Sequence, residues 1–409
     1  MSIATAPLQA FLQDQMPDAL EMLRQMVAIN SFTANKQGVN GLGRLTAEFF
    51  KPLGFSAEFV PSVNPEWGEH LVMSRPGRSG RSIAFVSHLD TVFPPEEEVA
   101  NNFHWQVEGD RIFGPGTLDI KGGTVMMWLV LRALQAHAPE VFEDVGWKLF
   151  WNSSEERLSA DFEEVCRRRF EKSTSAILIF EGENRAGDKR LMVAARKGRA
   201  TWKVTVSGRS AHAGGSLASG ANAIVQLGRT LQRIDALTDS SRDLTFNVGK
   251  IHGGTVLNRV PHEAVAEGEF RAFRQEVCDE AKSRLLALAG PGEVCSRVDG
   301  FCCKIDVKIT EESRPWPRNP GTDQLLTRWI EAARQLGSTV VPEERGGLSD
   351  GNSFWDFAPT LDGLGPWGDN DHCSERSPDG SKLPEFVEIS SFVPKALLNT
   401  VAICNLLAS

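Results

Sequence analysis

Short apolar runs alternate with helical stretches through the first half of the chain. That alternation predicts an α/β fold, with a mainly parallel sheet and helices on both faces. Two observations carry it. The runs at 83–87, 147–151 and 176–180 are almost wholly apolar, as strands covered on both faces are, and a helical stretch at 123–136 fills the gap between the first two. Further on, the order of elements becomes β-α-β-β-α-β, the split-βαβ plan, which predicts a second, inserted α+β unit of ferredoxin-like type.

The elements follow in chain order. A helix is predicted at 18–29, where Leu20, Leu23 and Val27 recur at three- and four-residue steps, and another at 45–50 before Gly54. The three apolar runs and the helix at 123–136 complete the first part. After Arg196 come a strand at 201–206, a helix at 221–234, strands at 244–251 and 264–273, a helix at 276–288 and a strand at 304–309. Helices at 322–336 and 390–407 close the chain. The expected organisation is one discontinuous unit, 1–196 with 313–409, interrupted by a second at 197–312. A chain of 409 residues is long enough for two or three domains.

Composition narrows the functions. With 53 acidic against 44 basic residues the net charge is −9, which argues against a nucleic-acid binder. Tyrosine is absent, so no phenol can act as acid, nucleophile or donor. The apolar stretch 124–134 contains Arg132 and falls short of the roughly 20 residues a bilayer requires. Gln9, Gln13, Asp14 and Gln15 stand where an export signal would be apolar. The seven cysteines contain no C-x-x-C pair and read as reduced packing residues. A cytoplasmic protein is the expectation.

Chemistry gathers at the ends of the apolar runs. The first ends in His88-Leu89-Asp90, the second is followed by Ser153-Ser154-Glu155-Glu156, and the third runs directly into Glu181. Open α/β sheets bind ligands beyond the carboxyl ends of their strands, so these groups should converge on one rim. A glycine-rich turn, Gly114-Pro115-Gly116-Thr117-Leu118-Asp119-Ile120-Lys121-Gly122-Gly123, brings Asp119 to the start of a helix. Clustered carboxylates repel one another, and a divalent cation removes that cost. Imidazole plus carboxylate without thiolate suits zinc, manganese or cobalt in an open site. Asp90 is placed to orient the His88 ring. Of the neighbouring pair, one glutamate can hold metal while the other serves as a base. Taken singly, each feature has a plain structural explanation, such as a helix cap for Asp119 or a solvated surface for Glu155-Glu156. Their joint occurrence on one rim is what favours a metal site.

The segments Ser87-His88-Leu89-Asp90-Thr91-Val92-Phe93-Pro94, the Asp119 turn and Glu155-Glu156 resemble the M20 family of dinuclear zinc peptidases and amidohydrolases. The likeness is nearest to its glutamate carboxypeptidase (carboxypeptidase G-type) branch, and Val107-Glu108-Gly109-Asp110 adds to it. The resemblance implies two divalent metal ions, zinc first, with cobalt or manganese as alternatives. It assigns His88 and Glu181 to one ion, Glu156 and His372 to the other, and Asp119 as the bridge, with Asp90 orienting His88 and Glu155 as general base. It implies that the inserted unit is a lid that also forms a homodimer. There His212, in Ser210-Ala211-His212-Ala213-Gly214, would support the oxyanion, while Asn258 and Arg271 would bind substrate. The implied substrate is a small peptide or an N-acyl amino acid, with no role for nucleic acid or membrane. One departure stands out: Glu385-Phe386-Val387 lies well beyond His372, across a longer loop than the family usually has.

Two rival readings are weaker. Gly347-Leu348-Ser349-Asp350-Gly351 matches G-x-S-x-G, but no apolar strand precedes it to form a nucleophile elbow; by resemblance it is a substrate-side loop. A non-catalytic binding protein on the same scaffold would be expected to lose Glu155 or Asp119, and both are present.

Overall fold

A computed structural model describes residues 3–408. The chain divides into two compact units, one of Met1–Ala194, Arg318–Glu344 and Ser349–Ser409, the other of Ala195–Pro317 with Arg345–Leu348.

The first unit is built on a six-stranded sheet. Its order is Ser56–Pro61, Glu69–Arg75, Gly146–Asn152, Ser82–His88, Thr174–Ile179 and Thr360–Leu361. The last four strands pair in parallel, and the first two are antiparallel additions at one edge. Alternation along Ser82–His88 sends Ile83 and Phe85 into one core and Ala84 and Val86 into another, so both faces are covered. The helices Thr5–Val27, Gly122–His137, Pro320–Gln335 and Phe392–Leu407 supply the larger core.

Two helices are longer than the sequence pattern predicts. Thr5–Val27 continues through Pro17, where the periodic reading began, and Lys36–Phe50 starts at an Asn35 cap that accepts the Gly38 N–H. Three glycines in that second helix had blurred its pattern. The segment Ile389–Leu407 is long and apolar enough to cross a membrane by length and composition, a stretch the sequence reading passed over in favour of 124–134. It is 67% buried inside the unit and carries the buried Lys395, as a core helix does.

The second unit is a five-stranded antiparallel sheet. Its order is Thr245–Gly253, Glu263–Ala272, Gly198–Ser207, Cys302–Ser313 and Gly290–Cys295. Gly198–Ser207 alternates buried and half-buried residues, and the helices Ala223–Asp235 and Gln275–Leu286 pack on the buried face. This is the split-βαβ arrangement with one added edge strand. That edge strand forms a hairpin in which Cys295 pairs with Cys302, and the two are joined by a disulfide. The expectation that every cysteine is reduced is therefore corrected: a seven-residue separation across a hairpin brings the two side chains together whatever the overall cysteine count. The cysteine pattern accordingly gives no support to a cytoplasmic location.

Candidate metal centre

His88 ends its strand opposite Asn152, with parallel neighbours on both sides, and its ring is buried. Nδ1 donates to the Asp90 carbonyl oxygen at 3.0 Å. Nε2 faces Asp119 Oδ1 at 2.8 Å and Glu181 Oε1 at 3.9 Å. Burial alone would lower the His88 pKa, but bonds to Asp119 and Asp90 outweigh it and hold the value well above the usual histidine range.

The Asp90 carboxylate lies 3.5 Å from Nδ1, so the carbonyl rather than the carboxylate takes the closer contact. The carboxylate has other partners. Oδ1 accepts the Glu155 N–H at 3.0 Å, and Oδ2 accepts the Glu156 N–H at 3.3 Å and the Thr33 hydroxyl at 2.6 Å. Asp90 thus ties the His88 strand to the turn Glu155–Arg157.

Asp119 leaves helical geometry (φ −114°, ψ 90°) within the turn Thr117–Lys121, which Gly116 opens at φ 75°. That break frees both carboxylate oxygens from the helix end. Oδ1 meets His88, and Oδ2 meets His372 Nε2 at 3.3 Å. His372 Nε2 also lies 3.3 Å from Glu156 Oε2. Two groups result, His88–Asp119–Glu181 and Asp119–Glu156–His372, in each of which one ligand atom per residue lies within 4.8 Å of the others. Asp119 belongs to both.

Glu181 is held beyond Phe180, whose N–H bonds to the Val86 carbonyl at 3.0 Å. A Cβ on Gly123 would stand 2.0 Å from the Phe180 carbonyl oxygen, so only glycine permits the helix to start here.

The electrostatics are those of crowded carboxylates. Burial, and then Asp119, push Glu156 up to about 7. Glu155 is held well above the usual carboxylate range by burial, with Asp350, Glu156 and Glu181 adding to the shift and His88 opposing it. His372, bonded to Asp119 and Glu156, is pushed up to about 11. Glu156 Oε1 is buried without a partner among the described residues. Two imidazoles, three carboxylates and an orphaned oxygen fit divalent cations, which would neutralise the cluster and satisfy that atom.

Four residues near this centre have no role assigned by the sequence. Thr33 donates its hydroxyl to Asp90. Asp350 is pushed up to about 7 by burial and accepts from Asn152 Nδ2 at 2.9 Å. Glu385 is fully buried, and its Oε1 accepts the N–H groups of Leu118 and Asp119 at 2.8 and 3.1 Å. Its N–H bonds to the Cys373 carbonyl at 2.7 Å, so the segment 374–384 is an excursion whose ends meet. The fourth is His70, buried in the strand Glu69–Arg75. Ser349 caps the turn Asp350–Ser353 and donates its hydroxyl to Asp362 Oδ2 at 2.8 Å, which leaves the G-x-S-x-G match without an elbow.

Three predicted residues lie in the second unit. His212 is exposed, and its Nδ1 accepts the N–H groups of Gly214 and Gly215 at 3.1 and 3.0 Å. Asn258 is exposed beside it, its carbonyl accepting the Ala213 N–H at 2.9 Å. Arg271 is already engaged: Nε bonds to Glu269 at 2.7 Å and Nη1 to the Gly346 carbonyl at 3.0 Å. A substrate carboxylate would have to share or displace Glu269.

Comparison with known proteins finds relatives along most of the chain. Residues 194–292 match the M20 peptidase dimerisation domain. The chain is 26% identical to carboxypeptidase G2 of Pseudomonas sp. (strain RS-16) over 388 residues, covering 94% of this chain and 88% of the relative. It is 24% identical to the succinyl-diaminopimelate desuccinylase of Hydrogenovibrio crunogenus (strain DSM 25203 / XCL-2) over 392 residues, covering 91% and 97% of the two. The fold is shared with Sso-CP2, an M20 family metallo-carboxypeptidase from Sulfolobus solfataricus, with a TM-score of 0.72 and 15% identity over 95% of this chain and 98% of that one. In its dimerisation domain, along nine-tenths of its length and in its fold, the chain resembles M20 peptidases and deacylases.

Proposed function

We propose that this chain hydrolyses an amide bond next to a free carboxylate, as a carboxypeptidase releasing a C-terminal amino acid such as glutamate. The observation that carries the reading is the division of the Asp119 carboxylate, one oxygen towards His88 and the other towards His372, with Glu155 beside Glu156. His88 and Glu181 would hold one divalent ion, Glu156 and His372 the other, and Asp119 both. Zinc is the first choice, and cobalt or manganese suit the same donors. When bound, the ions supply Lewis acidity that lowers the pKa of a water and polarises a carbonyl.

The chain's own groups do the rest. Glu155, with its raised proton affinity, takes a proton from the attacking water and hands it to the leaving amine. Asp90 fixes the Glu155 backbone while it does so. In the second unit, the Gly214 and Gly215 N–H groups occupy Nδ1 of His212, so its proton resides on Nε2, as an oxyanion donor requires. Asn258 and Arg271 are the substrate-binding candidates, Arg271 by exchanging Glu269 for a substrate carboxylate.

A deacylase of N-acyl amino acids is the second reading, favoured by the likeness to a succinyl-diaminopimelate desuccinylase along nine-tenths of the chain. A hydrolysis screen of dipeptides and N-acyl amino acids on metal-loaded enzyme, scored by the amine released, separates the two. In that screen Glu155→Gln should lower kcat by about 10³-fold with metal content unchanged. Full activity in the variant would remove Glu155 from the role of base.

A homodimer through the second unit belongs to the same reading. Thr245–Gly253 is an edge strand with one side unpaired. Ile251 on it and Ile224 on the adjoining helix are 58% and 42% exposed, an apolar patch suited to a second copy.

A further inference from the structure

His70 lies in the strand Glu69–Arg75 and is 0% exposed. Its two ring nitrogens reach opposite ends of one loop. Nδ1 accepts the Ser153 backbone N–H at 3.1 Å and touches Ser153 Oγ at 3.1 Å, while that hydroxyl donates to the Gly68 carbonyl at 2.9 Å. Nε2 faces Asp161 Oδ1 at 3.3 Å, an electrostatic contact outside hydrogen-bond geometry. Because a backbone N–H points at Nδ1, the ring proton resides on Nε2, towards the carboxylate. Asp161 is anchored in turn: Oδ2 accepts the Val63 N–H at 2.8 Å and Oδ1 the Ser159 hydroxyl at 3.1 Å. Phe162 packs against the ring with centroids 5.2 Å apart. Ser153, His70 and Asp161 thus line up serine–histidine–aspartate, but Ser153 is fully buried and its proton is committed to Gly68, so the trio serves position and not nucleophilic attack.

Between Ser153 and Asp161 the chain makes the turn that carries Glu155 and Glu156. We propose that His70 is a positioning residue: one buried imidazole closes the loop 153–161 at both ends and sets the two glutamates at the metal centre. The proposal rests on the roles given above to Glu155 and Glu156. Asp90, just past the end of the His88 strand, holds their N–H groups from one side, and His70, in the strand Glu69–Arg75, holds the loop from the other.

Two variants divide the imidazole's work. In His70→Asn the amide oxygen falls near the place of Nδ1 and can accept from Ser153, whereas the arm to Asp161 is lost. In His70→Gln the longer side chain reaches towards Asp161 and leaves the Ser153 N–H without an acceptor. Hydrogen exchange is read by peptide on metal-free protein, and kcat and KM on the metal-loaded enzyme. His70→Gln should speed exchange of the amides at 153–158 by about tenfold with the rest of the chain unchanged, and lower kcat while KM holds. His70→Asn should keep the protection at 153–158 and most of kcat, and instead speed exchange near 159–162, where the arm to Asp161 is lost. Unchanged exchange at 153–158 in both variants would overturn the proposal, and so would a rise spread evenly over the chain or equal behaviour of the two variants. Exchange is measured without metal or substrate, so it judges the His70 clamp even if the wild-type enzyme fails the hydrolysis screen, a failure that would count against the proposed function instead.

Discussion

Glu183, two residues beyond Glu181, is buried among three cations: Lys395 Nζ at 2.9 Å, Arg190 Nη1 at 2.8 Å and Arg185 Nε at 3.1 Å. Burial would raise its pKa, but Lys395 and Arg190 more than reverse that, and the carboxylate is charged. Lys395 is pushed down to about 8 by burial, against the pull of Glu183 and with Arg190 adding repulsion. The two shifts agree once one carboxylate is seen to serve several cations. The cost of losing each partner should therefore be unequal. Glu183→Gln strands a buried ammonium and should cost about 3 kcal/mol; Lys395→Met leaves Glu183 its arginines and should cost about 1 kcal/mol. Urea denaturation of both variants measures the difference, and the reverse order would contradict this assignment of charge. None of it was legible in the sequence, because the partners come from four separate positions and only the fold unites them. His88 and Glu181 were legible for the opposite reason: each follows a short apolar run, and the strand-end rule needs no distant partner.

At the scale of elements, three buried carboxylates, Glu156, Asp350 and the Glu385 that supports the turn Thr117–Lys121, decide how the metal-free protein responds to pH. Glu156 and Asp350 are raised to about 7 and Glu385 to about 8, chiefly by burial, from ordinary values of about 4 in the unfolded chain. A raised carboxylate binds more protons folded than unfolded between those limits, so stability falls as pH rises through the window. Metal-free protein should melt at a higher temperature near pH 5 than near pH 8, and added zinc should narrow the gap at pH 8. A metal-free melting temperature that climbs from pH 5 to pH 8 would refute this. The glycine-rich turn itself was plain in the sequence, whereas the support from Glu385 was hidden, because it accepts from Leu118 across 267 positions of chain. The antiparallel strand Ser56–Pro61 was likewise missed, being mostly exposed at a sheet edge and lacking an apolar run to mark it. The disulfide is invisible to cysteine number and spacing, because it depends on Cys295 and Cys302 facing each other across a hairpin.

For the molecule as a whole, the interruption of an α/β unit by a split-βαβ unit could be read from the order of elements, since a change from parallel-type runs to alternating strands shows in local pattern. The partner of the second unit's exposed edge could not be read that way. Ile251→Glu should convert a dimer at micromolar concentration to monomer in light scattering while leaving the unit folded, because a charge would then face the apolar patch. A wild-type monomer, or a variant that still dimerises, would remove that surface from the account. The central claim is that five residues distant along the chain gather around two ions. Anomalous diffraction at the metal edge from zinc-reconstituted crystals tests it most directly. Two peaks are predicted, both touching the Asp119 carboxylate, one shared with His88 and Glu181 and the other with Glu156 and His372. A map with no ordered metal at these side chains, or with zinc bound only elsewhere, would contradict it.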